Sequence, residues 1–135
     1  MPAKRRAAAP TTALERVLAH ALTKPGAWLD HPWDPNHDVV KVGNRIFVGV
    51  GAVQVEPSFT VKHEDMDACE VWRGRFPDAV GTAPYMKNKP WSRVFVERGI
   101  DEDDALELVE ESYLAVVRRL AKKDRPQGWD EGLTD

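Results

Sequence analysis

Leu14, Val17, Leu18, Ala21 and Leu22 recur at helical spacing and draw one apolar stripe near the start of the chain. Thr12 and Glu15 frame that stripe as a capping box, and Pro25-Gly26 stops it. Pro32 and Pro35 mark Ala27 to Asp38 as a loop carrying Trp28 and Trp33. The pattern then changes to short β-rich runs, Val39 to Val42 and Arg45 to Val50, separated by Gly43-Asn44. That two-residue connection is a hairpin signal, because Gly and Asn tolerate positive φ. Ser58 to Lys62 predicts a third strand, Glu64 to Arg73 a second helix, and Trp91 to Val96 a fourth strand. The last helix opens on Asp101, Glu102, Asp103 and Asp104 and closes on Arg118, Arg119, Lys122 and Lys123, the polarity its dipole favours. Leu106, Val109, Tyr113, Val116, Val117 and Leu120 form its apolar stripe. The predicted order is α-β-β-β-α-β-α, an α+β fold in which helices pack on one face of an antiparallel sheet.

Alternation within the strands divides their side chains between two faces. Val40, Val42, Ile46, Val48, Val50, Phe59, Val61, Val94 and Val96 are expected to face the helices. The opposite parity holds Lys41, Arg45, Phe47, Ser58, Thr60, Lys62, Arg93 and Phe95, with Glu97 as its acid. A basic, hydroxyl-bearing, aromatic sheet face has the ingredients of a nucleic-acid platform. The plainer alternative is that the cations solvate an open sheet while Phe47 and Phe95 pack under a loop.

Composition narrows this reading. The chain has 135 residues, of which 42% are hydrophobic and 30% charged, enough for one domain with its own core. We expect residues 1–11 to be a disordered basic tail, 12–124 a single domain and 125–135 a polar tail. The formal net charge is -3, so the molecule as a whole does not attract polyanions, and any such binding needs a local patch. Ala83 to Arg93 is such a patch: Lys87, Lys89 and Arg93 with Tyr85, Asn88 and Trp91, and no acid. Cys69 is the only cysteine. It excludes an internal disulfide and a cysteine zinc site, and suits a reducing cytoplasm. Neither a secretory signal nor a membrane span is expected.

Taken in order, several of these pieces also resemble a known family. They are Pro25-Gly26, His31-Pro32-Trp33, the Lys41-Val42-Gly43-Asn44-Arg45 hairpin, Ser58 to Lys62, Tyr85-x-Lys87-x-x-x-Trp91, and Glu111-Ser112-Tyr113 in the last helix. Over residues 12 to 122 the chain resembles the MmcQ/YjbR family. The resemblance implies a CyaY-like, frataxin-type α+β fold and a DNA-binding role, carried by Lys41, Lys62, Tyr85, Lys87, Lys89 and Trp91.

Other chemistries find less support. Helix one offers Glu15 beside Arg16 and His20, without the acidic ridge of iron-binding frataxins. His31, Asp34, His37 and Asp38 are potential metal ligands, but lie in a proline-rich turn without a recognised ligand spacing. No nucleophile elbow, P-loop or dinucleotide fingerprint occurs. The expectation is a non-enzymatic DNA-binding domain without metal or cofactor. In it Lys87, Lys89 and Arg93 meet phosphate, Lys41 and Lys62 extend the patch, Asn88 hydrogen-bonds a base edge or backbone, and Tyr85 or Trp91 stacks or anchors the loop. The alternative is a module that uses the same loop for a protein partner or small ligand.

Overall fold

A computed structural model describes residues 12–50 and 56–131; the expected N-terminal tail lies outside them. Helix α1 (Ala13–Leu22) begins as expected: Thr12 Oγ1 accepts from the Glu15 amide at 3.1 Å, and Glu15 Oε1 from the Thr12 amide at 2.9 Å. Strands β1 (Ala27–Asp30), β2 (Asp38–Val42), β3 (Arg45–Val50) and β4 (Ser58–Lys62) follow. Next come α2 (Met66–Arg75), β5 (Val80–Thr82), β6 (Trp91–Phe95), α3 (Glu102–Val117) and a final 3-10 turn at Lys122–Asp124. Among the described residues, the six strands join one antiparallel sheet in the order β1-β2-β3-β4-β6-β5.

The α+β class stands, but the element order needs correction. The first strand lies inside the predicted loop: Ala27 to Asp30 pair with Val42 to Val39 and extend the sheet. Val80 to Thr82 add a second unpredicted strand on β6. Runs of four and three residues are too short for alternation to reveal.

Helices α1 and α3 lie together on one face of the sheet, with α3 crossing β2, β3 and β4. Val40, Val42, Val48, Phe59, Val61 and Val94 meet Leu108, Val109, Tyr113, Val116 and Val117 there. Among the described residues 23 buried apolar side chains form the core, and burying an aliphatic or aromatic one contributes roughly 1.5–3 kcal/mol. The C-terminal end of α3 is capped by guanidinium groups: Arg119 donates to the Ala115 carbonyl at 2.8 Å, and Arg125 to the Arg118 carbonyl at 2.9 Å. The stretch after them is drawn onto the body, where Trp129 packs against the core.

The expected faces of Ile46 and Phe47 are exchanged. Val40 pairs with Val48 and Lys41 with Ile46, leaving Phe47 as the extra residue of a β-bulge. Phe47 therefore turns into the core and meets Tyr113 edge-on, ring centroids 5.3 Å apart. Ile46, expected inside, joins the other face. The pairing of β3 with β4 stops at Val48 and Val61, and α3 bridges the next position. Ser112 Oγ donates to the Phe47 carbonyl at 2.6 Å and accepts from the Lys62 amide at 2.8 Å. The next residue, Tyr113, ties the helix to the turn after α1 by donating to the Pro25 carbonyl at 2.6 Å. Its hydroxyl pKa is pushed up to about 12 by burial and then by Glu110.

Candidate functional site

The face of the sheet away from α1 and α3 is not flat. Two segments border it: the connection from β1 to β2, and the loop from β5 to β6. Between them lies a cleft of about 830 Å³. Its floor follows the strand register. Gly49, Thr60 and Arg93 form one cross-strand row, and Lys62 and Trp91 pair on the next. Ile46 and Lys41 continue the surface toward the β2-β3 hairpin, where Asn44 and Arg45 stand at its edge. The connection from β1 to β2 contributes Pro32, Trp33 and His37, and the other loop Pro84, Tyr85 and Met86.

The charge of this lining is one-sided. It contains Lys41, Arg45, Lys62, Arg93 and Arg119, and no Asp or Glu among the described residues. Two of those cations are balanced from outside the cleft. Lys41 Nζ lies 2.8 Å from Asp30 Oδ2 and 5.2 Å from the Trp28 ring centroid. That hydrogen bond lowers the Asp30 pKa. Arg119 reaches Glu64 Oε2 at 3.5 Å. Arg45, Lys62 and Arg93 have no ion pair with any described carboxylate. Arg93 is instead held by its Nε donating to Ser58 Oγ at 2.8 Å, with the guanidinium over Phe95. Lys62 Nζ sits 5.7 Å from the centroid of the Trp91 ring. Its pKa is lowered, first by burial and then by repulsion from Arg119. An anion entering the cleft would offset both by favouring the charged form of Lys62.

The β5-β6 loop owes its shape to two tight turns. The Met86 amide donates to the Ala83 carbonyl at 3.1 Å, and the Lys89 amide to the Met86 carbonyl at 3.1 Å. Pro84 supplies the fixed φ at the second position of the first turn, and Tyr85 follows at φ 63°. Asn88 takes the same place in the second turn at φ 68°. Asn is at home in that left-handed region, whereas a bulky aromatic is a true outlier there. Tyr85 is nonetheless fully exposed, with a relative accessibility of 102%. Trp33 is the next most exposed large apolar residue, at 67%, and meets His37 edge-on with centroids 5.1 Å apart.

Of the residues expected at the site, Lys41, Lys62, Tyr85, Trp91 and Arg93 line the cleft together. Lys87, Asn88 and Lys89 are exposed on the second turn and do not line it. Thr60 was legible from strand parity, and Gly49 shares its row on β3. Arg45, which parity also put on this face, pairs with core-facing Val42 beyond the bulge and reaches the cleft from the hairpin edge. Trp33 and His37 join through the connection from β1 to β2, for which the sequence gives no distance signal. The proposed metal ligands disperse. His31 Nε2 bonds Asp38 Oδ1 at 2.7 Å, Asp34 Oδ1 caps the Asn36 amide at 2.8 Å, and His37 lies against Trp33. No group of three or more His, Cys, Asp or Glu side chains able to hold a metal occurs among the described residues.

Beneath the cleft, next to Lys62 and Trp91, lies a buried polar cluster. His63 Nε2 and Ser92 Oγ are 2.8 Å apart, and Arg73 reaches Ser92 Oγ at 3.3 Å and the Trp91 carbonyl at 2.9 Å. His63 is fully buried, and its Nδ1 has no hydrogen-bond partner. Burial, then Arg73 and Lys62, lower its pKa to about 4. Cys69 is buried beside this cluster, and burial raises its thiol pKa.

Comparison with known proteins agrees with this architecture. The YjbR family model matches residues 22–115. The uncharacterised Escherichia coli O157:H7 protein YbdF is 27% identical over 105 residues, spanning 78% of this chain and 84% of that protein. The crystal structure of Deinococcus radiodurans protein DR2400, of domain family DUF419, superposes with a TM-score of 0.77 at 20% identity, covering 93% of this chain and 98% of its own. A Pseudomonas syringae protein gives a TM-score of 0.57 at 16% identity, covering 73% and 93%. These likenesses speak for the fold. No described helix is long and apolar enough to cross a membrane.

Proposed function

The chain belongs to the YjbR family, and on that premise we propose that its open sheet face binds nucleic acid, in a cytoplasmic, non-enzymatic domain of CyaY-like type. One observation carries the reading. A chain of net charge -3 lines this cleft with cations and aromatics and keeps every described acid out of it. Arg45, Lys62 and Arg93 are free to meet phosphate, while Trp91, Tyr85 and Trp33 offer faces on which bases stack. Lys87 and Lys89, exposed on the adjoining turn, extend the positive surface, and Asn88 stands beside them.

Salt dependence tests this directly. Binding of fluorescently labelled DNA, followed by anisotropy, is expected to weaken linearly on logarithmic axes as salt rises. Changing Arg45, Lys62 and Arg93 together to Ala should reduce that slope by roughly 0.7–0.9 for each phosphate no longer neutralised. Absence of binding at low salt, or an unchanged slope in the triple variant, contradicts the proposal. The cleft's volume favours a second reading, a compact anionic ligand, since about 830 Å³ falls within the roughly 300–1,000 Å³ typical of small-molecule sites. On that reading a mononucleotide binds as tightly as a longer oligonucleotide.

A further inference from the structure

The shape of the cleft restricts which form of nucleic acid it fits; this inference rests on the nucleic-acid reading above. Readers of duplex DNA insert a convex element, a helix or β-ribbon, into a groove. Here the aromatic and cationic side chains line a hollow of about 830 Å³ instead. A base stacked and paired inside a duplex cannot enter a hollow, whereas an unstacked one can. The aromatics are placed for such a guest: Trp91 lies on the floor beside Lys62, and Tyr85 and Trp33 stand exposed among the lining residues.

The floor also has a polar corner. Gly49 has no side chain to fill it, and a Cβ there would stand 2.8 Å from Thr60 Oγ1 and 4.0 Å from His37 Nε2. The bare glycine makes room for the Thr60 hydroxyl, which leans toward the Gly49 carbonyl at 3.5 Å, and the His37 imidazole joins them in lining the cavity. Both are groups that can donate to or accept from a base edge. Arg93 is the cross-strand neighbour of Thr60, and Lys62 lies two residues further along the same strand. The corner is therefore flanked by two cations that lack a described carboxylate partner. Tyr85 supplies an independent observation. A fully exposed aromatic held at φ 63° has no packing reason for that conformation, and strain of this kind collects at binding sites.

We propose that the cleft receives an unstacked base of a single-stranded segment. Trp91 and Tyr85 meet its face, Thr60 and His37 its edge, and Lys62, Arg93 and Arg45 the flanking phosphates. The test compares a labelled mixed-sequence DNA of about 12 nucleotides, within the ~4–16 spanned by single-strand sites, with the same strand annealed to its complement, at equal salt. The single strand is expected to bind at least about tenfold more tightly. Tyr85→Ala is expected to reduce that binding about tenfold, as expected when one stacking platform is removed, and to leave duplex binding unchanged. Because Tyr85 is fully exposed, that variant keeps the fold. Equal or tighter binding of the duplex, or a single strand indifferent to Tyr85→Ala, overturns the inference while nucleic-acid binding itself stands. If neither form binds, both fall.

Discussion

Replacing Tyr85 by Gly should make the protein more stable and a weaker binder. The side chain is fully exposed, so its removal sacrifices no burial. Its φ of 63° places a non-glycine residue in the left-handed region, at a cost of roughly 1–2 kcal/mol. Glycine removes that cost but adds unfolded-state entropy worth roughly 0.5–1 kcal/mol. The net expectation is a gain of roughly 0–1.5 kcal/mol, or up to about 5 °C in a thermal melt of a domain this size. Tyr85→Ala is the control: it keeps the left-handed backbone cost and should leave stability unchanged. Chemical denaturation gives the stability of both, and single-strand anisotropy their binding. Both variants are expected to bind about tenfold more weakly, since each removes one stacking platform. A decrease of more than about 1 kcal/mol in Tyr85→Gly would mean that the ring holds the loop, and the reasoning about strain kept for binding would be wrong.

Ser112→Ala should destabilise the fold by about 2–4 kcal/mol, because it orphans a buried donor, the Lys62 amide, and a buried acceptor, the Phe47 carbonyl. Urea titration checks this, and a change below about 1 kcal/mol would refute the bridging role. His63 makes stability pH-dependent. Its pKa falls from 6.5 to about 4 on folding, so the folded state disfavours the proton. The contribution is whole above pH 6.5 and is lost as pH falls from there toward 4, at up to about 1.4 kcal/mol per pH unit. In His63→Gln the slope of stability against pH across that window should flatten; an unchanged slope would assign it to other groups. Asp101 makes no side-chain cap bond at the start of α3. Asp101→Ala should therefore cost well under the ~1 kcal/mol of a true cap in thermal melts, and a larger effect would contradict that geometry.

The sequence and the structure agree where a pattern is long and disagree where it is short. Helices α1 and α3 and the β2-β3 hairpin were legible because capping residues, periodicity and a Gly-Asn turn all pointed the same way. Strands β1 and β5 escaped, since neither run is long enough to alternate. Phe47 and Ile46 were exchanged because a bulge inverts parity, and no residue type announces a bulge at that point. The same limit applies to the site. Lys62, Trp91 and Arg93 followed from strand parity and from a basic loop. Asp30, which neutralises Lys41, and His37, which approaches Gly49, reach the sheet through β1 and its following loop. The Glu111-Ser112-Tyr113 run was visible as a motif, but its work is structural: Glu111 accepts from the Trp72 indole at 2.9 Å, while Ser112 and Tyr113 tie down the sheet and the first turn.

The central claim is that the face opposite α1 and α3 does the binding, and amide shift mapping by NMR tests it most directly. Titration of the labelled protein with a short single-stranded DNA is predicted to move the signals of Ile46, Gly49, Thr60, Lys62, Tyr85, Trp91 and Arg93 together, leaving α1 and the N-terminal half of α3 still. Shifts confined to the helical face, or none at all at low salt, would contradict the account.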